Sequence, residues 1–101
     1  MIHVLAEKDR LTLRGHAGYA PCGEDIVCAA VSALMLALAE NLQDRGLVRE
    51  LVARPGYMRI WARGAGRELA LTKCGLRQLE RKYPQCVQVR ESLPMGERIG
   101  S

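Results

Sequence analysis

One stretch of this chain holds the residue types for covalent chemistry. In Gly15-His16-Ala17-Gly18-Tyr19-Ala20-Pro21-Cys22-Gly23-Glu24-Asp25-Ile26-Val27-Cys28-Ala29-Ala30-Val31-Ser32, an imidazole precedes a thiol by twelve positions. An imidazole brought beside a cysteine can take the thiol proton, and the resulting ion pair makes sulfur a nucleophile at neutral pH. Position adds to this: residues 25–45 read as a helix, so Cys28 falls in its first turn. Exposed backbone N–H groups and the positive end of the helix dipole stabilise negative charge there. The same N–H groups could hold an oxyanion. Glu24 and Asp25 work in the opposite direction, because nearby negative charge disfavours a second one. Asp25 has two roles open to it, helix cap or orienting group for His16, and spacing does not separate them. The plainer reading makes Cys28 a small core residue, His16 a structural strand-end histidine, and Gly18 and Gly23 turn residues.

These residues need elements to position them. Residues 2–5 and 11–14 read as strands flanking Glu7-Lys8-Asp9-Arg10, a hairpin connection. Residues 15–23 carry three Gly and one Pro and read as a loop. The helix at 25–45 has Asp25 as its N-cap candidate and Gly46 as its stop. Its stripe is Val27, Val31, Leu34, Leu38 and Leu42, but Ile26, Ala30, Ala33 and Ala37 make other sides apolar too. Such a helix is central, or also faces a partner chain.

Strands follow at 48–54 and 57–63, joined at Pro55-Gly56; the second puts Tyr57, Arg59, Trp61 and Arg63 on one face. A second helix at 68–83 carries Leu69, Thr72, Leu76, Leu79 and Tyr83, weakened slightly by Gly75 and ended by Pro84. A last strand spans 86–90. The order ββαββαβ predicts an α+β fold, a mostly antiparallel sheet packed with two helices. Whether the helices cover one sheet face or both is not decided by the order.

The chain has 101 residues, enough for one domain, which we place at 1–92, with 93–101 as a flexible C-terminal tail. It is 49% hydrophobic with no Phe, one Trp and three Tyr, so the core must be mostly aliphatic. The net charge of +4 permits an anionic partner such as RNA without demanding one. Collagen, mucin, multi-domain and acidic-tail classes are excluded. The chain opens on Ile-His-Val-Leu without a basic-apolar-small leader, so Cys22, Cys28, Cys74 and Cys86 are expected as reduced thiols in the cytoplasm. The apolar run 26–39 is shorter than a membrane span, and no membrane partner is expected.

The run G-H-A-G-Y-A…G-E-D-I-V-C-A-A-V-S resembles the signature of the ribosomal-processing cysteine protease family, Prp. The element order also fits that family, as does the Tyr83-Pro84 step before the final strand. The resemblance implies Cys28 as nucleophile and His16 as general base, with Asp25 at the family's acidic position in a supporting or orienting role. It implies removal of a short N-terminal extension from large-subunit ribosomal protein twenty-seven, after a hydrophobic-aromatic motif, by a homodimer needing neither metal nor cofactor. The loop bearing Gly18, Tyr19 and Gly23 would then close over the peptide, with Tyr19 and the exposed flank of the long helix forming an apolar groove.

Two other classes compete. Tyr57, Arg59, Trp61 and Arg63, with Arg49, Arg54 and Arg67 nearby, would suit a non-catalytic basic RNA- or ribosome-binding module. The plainer reading of that face is a solvated sheet surface. A metal site is weaker still: there is no C-x-x-C, and the Cys22–Cys28 and Cys74–Cys86 spacings suit no common zinc knuckle. Cys74 lies off its helix stripe, and Cys86 is expected to be buried.

Overall fold

Alternation along the strands decides the architecture. Ile2, Val4 and Ala6 are buried on β1 (Ile2–Glu7), while His3 and Leu5 between them are exposed. The same alternation places Leu11 and Leu13 of β2 (Arg10–Arg14) on the buried side. Five strands obeying it must present one apolar face, and the helices must cover it. The computed structural model describes residues 1–15 and 24–92.

The remaining elements are α1 (Glu24–Asp44), β3 (Val48–Arg54), β4 (Tyr57–Ala62), α2 (Gly66–Lys82) and β5 (Val87–Glu91). The sheet order is β3-β4-β2-β1-β5. Every pairing is antiparallel except β1 with β5, which is parallel and is reached by the α2 crossover. The α+β order ββαββαβ is as the pattern predicts. Both helices lie on one face: Val27, Val31, Met35, Leu38 and Leu42 of α1 and Leu69 and Leu76 of α2 join the buried strand residues in one cluster. Each fully buried aliphatic side chain there contributes about 1.5–3 kcal/mol.

Local chemistry sets the corners. The β1–β2 turn narrows to Lys8-Asp9, with Asp9 at φ +65, a left-handed conformation its short polar side chain tolerates. Pro55 and Gly56 make the β3–β4 turn, Gly56 at φ +76. Helix α1 ends in a Schellman motif: the Gly46 N–H donates to Gln43 at 3.0 Å and the Leu47 N–H to Leu42 at 2.9 Å. Gly46 supplies the left-handed residue at φ +69, as its position as a stop predicts.

Some expectations shift. On α1 Met35 is fully buried, whereas Leu34 is only partly covered and meets α2. A β-carbon on Gly75 would sit 3.1 Å from Leu34, so this glycine allows the two helices to approach. Arg63 falls just past the end of β4 and Arg67 lies in α2, so neither joins the sheet face carrying Tyr57, Arg59 and Trp61. By length and apolarity the segment 26–44 could cross a bilayer, but its row from Val27 to Leu42 is packed on the sheet.

The outer edge at β5 is closed by charge. The Val89 N–H donates to Glu80 Oε2 at 2.8 Å, which satisfies an edge donor. Lys73 binds Glu91 at 2.8 Å, and Arg77 pairs with the same carboxylate. These cations hold the Glu91 carboxyl below its ordinary range, led by the Lys73 hydrogen bond. On the opposite side, Arg45 binds Glu68 at 2.5 Å and lowers that carboxyl too.

Candidate active site

Cys28 is the fifth residue of α1, because the helix begins at Glu24. It therefore opens the second turn rather than closing the first. Its Cα–Cβ bond still tilts toward the helix N-terminus, where the first-turn N–H groups have no intrahelical acceptor. Cys28 is half-buried, a free thiol at the surface of a cleft of about 180 Å³.

Helix α1, the start of β1, the end of β2 and the β3–β4 hairpin bound this cleft, with Ile2 contributed by β1. Cys28, Ser32 and Met35 come from α1, Gly15 from the end of β2, and Arg54, Gly56 and Tyr57 from the β3–β4 turn. The Gly15 N–H donates to the Gly56 carbonyl at 3.0 Å and so joins two of these elements. Gly15 stands at φ +113, and a β-carbon there would lie 2.2 Å from the Met1 carbonyl oxygen. Only glycine fits this crossing.

The cleft is flanked by positive charge. The Tyr57 ring is approached by the Arg54 guanidinium at 4.9 Å and by that of Arg14 at 5.3 Å from its centroid. Arg54 and Tyr57 are lining residues that the sequence alone did not bring to Cys28. Pro55-Gly56 was legible as a turn, but only the sheet order carries that turn to the end of β2.

Larger hollows exist elsewhere, about 330 Å³ beside Asp9 and Lys73 and about 610 Å³ between the helices near Leu71. Neither includes Cys28, so volume does not identify the site. Asp25 is the second residue of α1. His16, Gly18, Tyr19 and Gly23 lie outside the described residues, as does the tail 93–101. Cys74 is exposed on α2, and Cys86 is buried beneath the start of β5, as expected. Among the described residues no group of three His, Cys, Asp or Glu side chains is placed to hold a metal ion.

The comparisons with known proteins agree with one another. The family model of the cysteine protease Prp matches residues 1–88. The fold is similar to that of a ribosomal processing protease Prp from S. aureus in complex with a substrate peptide. That likeness has a TM-score of 0.79 at 19% identity and covers 91% of this chain and 100% of that one. The same S. aureus protease with a covalently linked product peptide gives 0.77 at 21% identity, with coverages of 91% and 100%. SMU.848 from Streptococcus mutans gives 0.74 at 25% identity, covering 92% of this chain and 93% of that one. None of the curated proteins matches the sequence.

Proposed function

Because the chain belongs to the cysteine protease Prp family, we propose that Cys28 and His16 are the catalytic pair of a ribosomal-protein-processing endopeptidase. The observation that carries this reading is the shared cleft of Cys28 and Gly15. Gly15, which lines the cleft with Cys28, is the residue directly before His16 in the sequence.

The chemistry is acyl transfer. Cys28 attacks the scissile carbonyl, the carbon–nitrogen bond breaks, and His16 protonates the departing amine. Water, deprotonated by His16, then releases the acyl group from the thioester. N–H groups at the start of α1 support the oxyanion. Asp25, the second residue of α1 and so inside the first turn rather than at its N-cap, is left the role of orienting His16. Gly18, Tyr19 and Gly23 belong to the segment that covers the peptide.

The substrate in this reading is a short N-terminal extension of large-subunit ribosomal protein twenty-seven, cut after a hydrophobic-aromatic motif. The S. aureus relative, a ribosomal processing protease bound to substrate and product peptides, supports that class. The enzyme works in the cytoplasm, where Cys28, Cys74 and Cys86 remain free thiols. It works as a homodimer. Ile26, Leu36 and Leu71 are 67%, 60% and 74% exposed on the two helices, leaving an apolar surface outside the core.

The test is to incubate the protein with the host's own ribosomal protein precursor and sequence the new N-terminus. One cut after a hydrophobic-aromatic motif supports the substrate assignment. An intact precursor, or scattered cuts, removes it.

A further inference from the structure

The sheet face opposite the helices has a different composition from the core. Across β3, β4, β2 and β1, one row reads Arg54, Tyr57, Arg14, His3, and the next Val52, Arg59, Thr12, Leu5. The third reads Glu50, Trp61, Arg10, Glu7, and Arg90 of β5 stands beside Leu5. Five arginines thus meet two glutamates, with no lysine among them. Arg59 Nε lies 2.9 Å from Glu50 and Arg10 Nε 3.7 Å from Glu7, both as ion contacts without an aligned hydrogen bond. Arg14, Arg54 and Arg90 have no carboxylate partner among the described residues. Both helices pack on the other face, and a shallow hollow of about 540 Å³ runs over this one.

We infer that this face is a platform for single-stranded RNA, adjoining the protease cleft at Tyr57. Three features favour that occupant over an acidic peptide or a lipid surface. The cations are all guanidinium groups, whose planar fork pairs with phosphate in two hydrogen bonds and stacks on rings. Tyr57 and Trp61 alternate with Arg59 along one strand, and Trp61 is 41% exposed. Trp61 thus offers an exposed aromatic surface to a base, with the guanidinium-flanked Tyr57 ring farther along the strand. An acidic peptide has no base to stack there. Gln88 and His3, at the β1–β5 side of the hollow, add hydrogen-bonding groups within reach of a ribose hydroxyl. A duplex is disfavoured because this sheet face carries no element that enters a groove.

Tyr57 borders both this hollow and the Cys28 cleft. A bound strand therefore ends beside the peptidase site, and an RNA-bearing particle could present its own protein to it. The platform itself does not depend on the catalytic assignment.

Fluorescence polarisation with a labelled oligouridylate of about twelve nucleotides tests the inference. Neutralising three to five arginines predicts a slope of log affinity against log salt between about −2 and −3.5. Arg14→Glu with Arg90→Glu should weaken binding about tenfold or more, and Trp61→Ala about fivefold. Arg63→Glu with Arg67→Glu removes the same charge away from the face and should change binding less than about twofold. Circular dichroism of each variant excludes loss of fold as the cause. Four results overturn the inference: no binding at about 50 mM salt, equal losses in the two charge-reversed pairs, tighter binding of oligodeoxyuridylate, or preference for anionic phosphatidylglycerol vesicles.

Discussion

The Gly15 N–H and the Gly56 carbonyl meet at 3.0 Å, and this one hydrogen bond joins the strand leading to His16 with the turn that faces Cys28. Two glycines at positive φ make the contact, +113 and +76. The protease cleft therefore rests on backbone geometry that other residues cannot adopt without strain.

Gly15→Ala should be destabilising by about 2 kcal/mol or more, because the new methyl falls 2.2 Å from the Met1 carbonyl oxygen at an unfavourable φ. Urea denaturation reads this directly. A midpoint equal to wild type would show that the β1–β2 end is less constrained than the geometry requires.

Met35 is wholly buried beneath the cleft, so Met35→Ala should cost about 2–5 kcal/mol. The same substitution at the exposed Leu36 should cost under about 1 kcal/mol in the monomer. Equal losses would contradict the burial pattern of α1.

Gly75 lies where α2 approaches Leu34 at 3.1 Å from an added β-carbon. Leu34 is partly exposed and its end can move, while alanine gains helix propensity, so Gly75→Ala should alter stability by under about 1 kcal/mol. Gly75→Leu cannot be absorbed and should cost about 1–3 kcal/mol. Thermal melts of both variants separate close approach from a neutral site.

Acid stability carries a sign. Glu91 ionises below its ordinary value of 4.5 in the folded protein, first through the Lys73 hydrogen bond and then through Arg77. Its contribution is complete above that ordinary value and is lost as pH falls through the lower folded one. Glu91→Gln should therefore lower stability near neutral pH, by under about 1 kcal/mol because the pair is exposed. The difference from wild type should vanish in acid. A gap that widens on acidification would reverse the sign.

The homodimer is read from the exposed side chains of Ile26, Leu36 and Leu71. Leu36→Glu with Leu71→Glu should shift sedimentation from dimer to monomer. A wild-type mass that stays monomeric at all concentrations would contradict the dimer.

The element order was legible because local signals agree: alternating apolar residues in β1 and β4, Gly46 after α1 and Pro84 after α2. That Cys28 lies near the start of α1 was legible too, since helix limits carry local signals, though its turn was displaced by one. Met35 in place of Leu34 was not, because Leu34 is three residues from Val31 and Met35 four, both allowed by helical spacing, and only tertiary packing decides between them. The contact of Gly56 and Tyr57 with the cleft was also hidden. It depends on β4 pairing with β2, a long-range choice that periodicity does not encode. For the same reason the sequence placed Arg63 with the sheet face and left the role of Arg14 unseen.

The central claim is that Cys28, activated by His16, cleaves peptide bonds. The most direct test is the initial rate of cleavage of a peptide spanning the extension junction, followed by mass spectrometry for wild type, Cys28→Ala and His16→Ala. The account predicts loss of activity by at least about a thousandfold in both variants, each still folded. Cleavage by Cys28→Ala at the wild-type rate would contradict it.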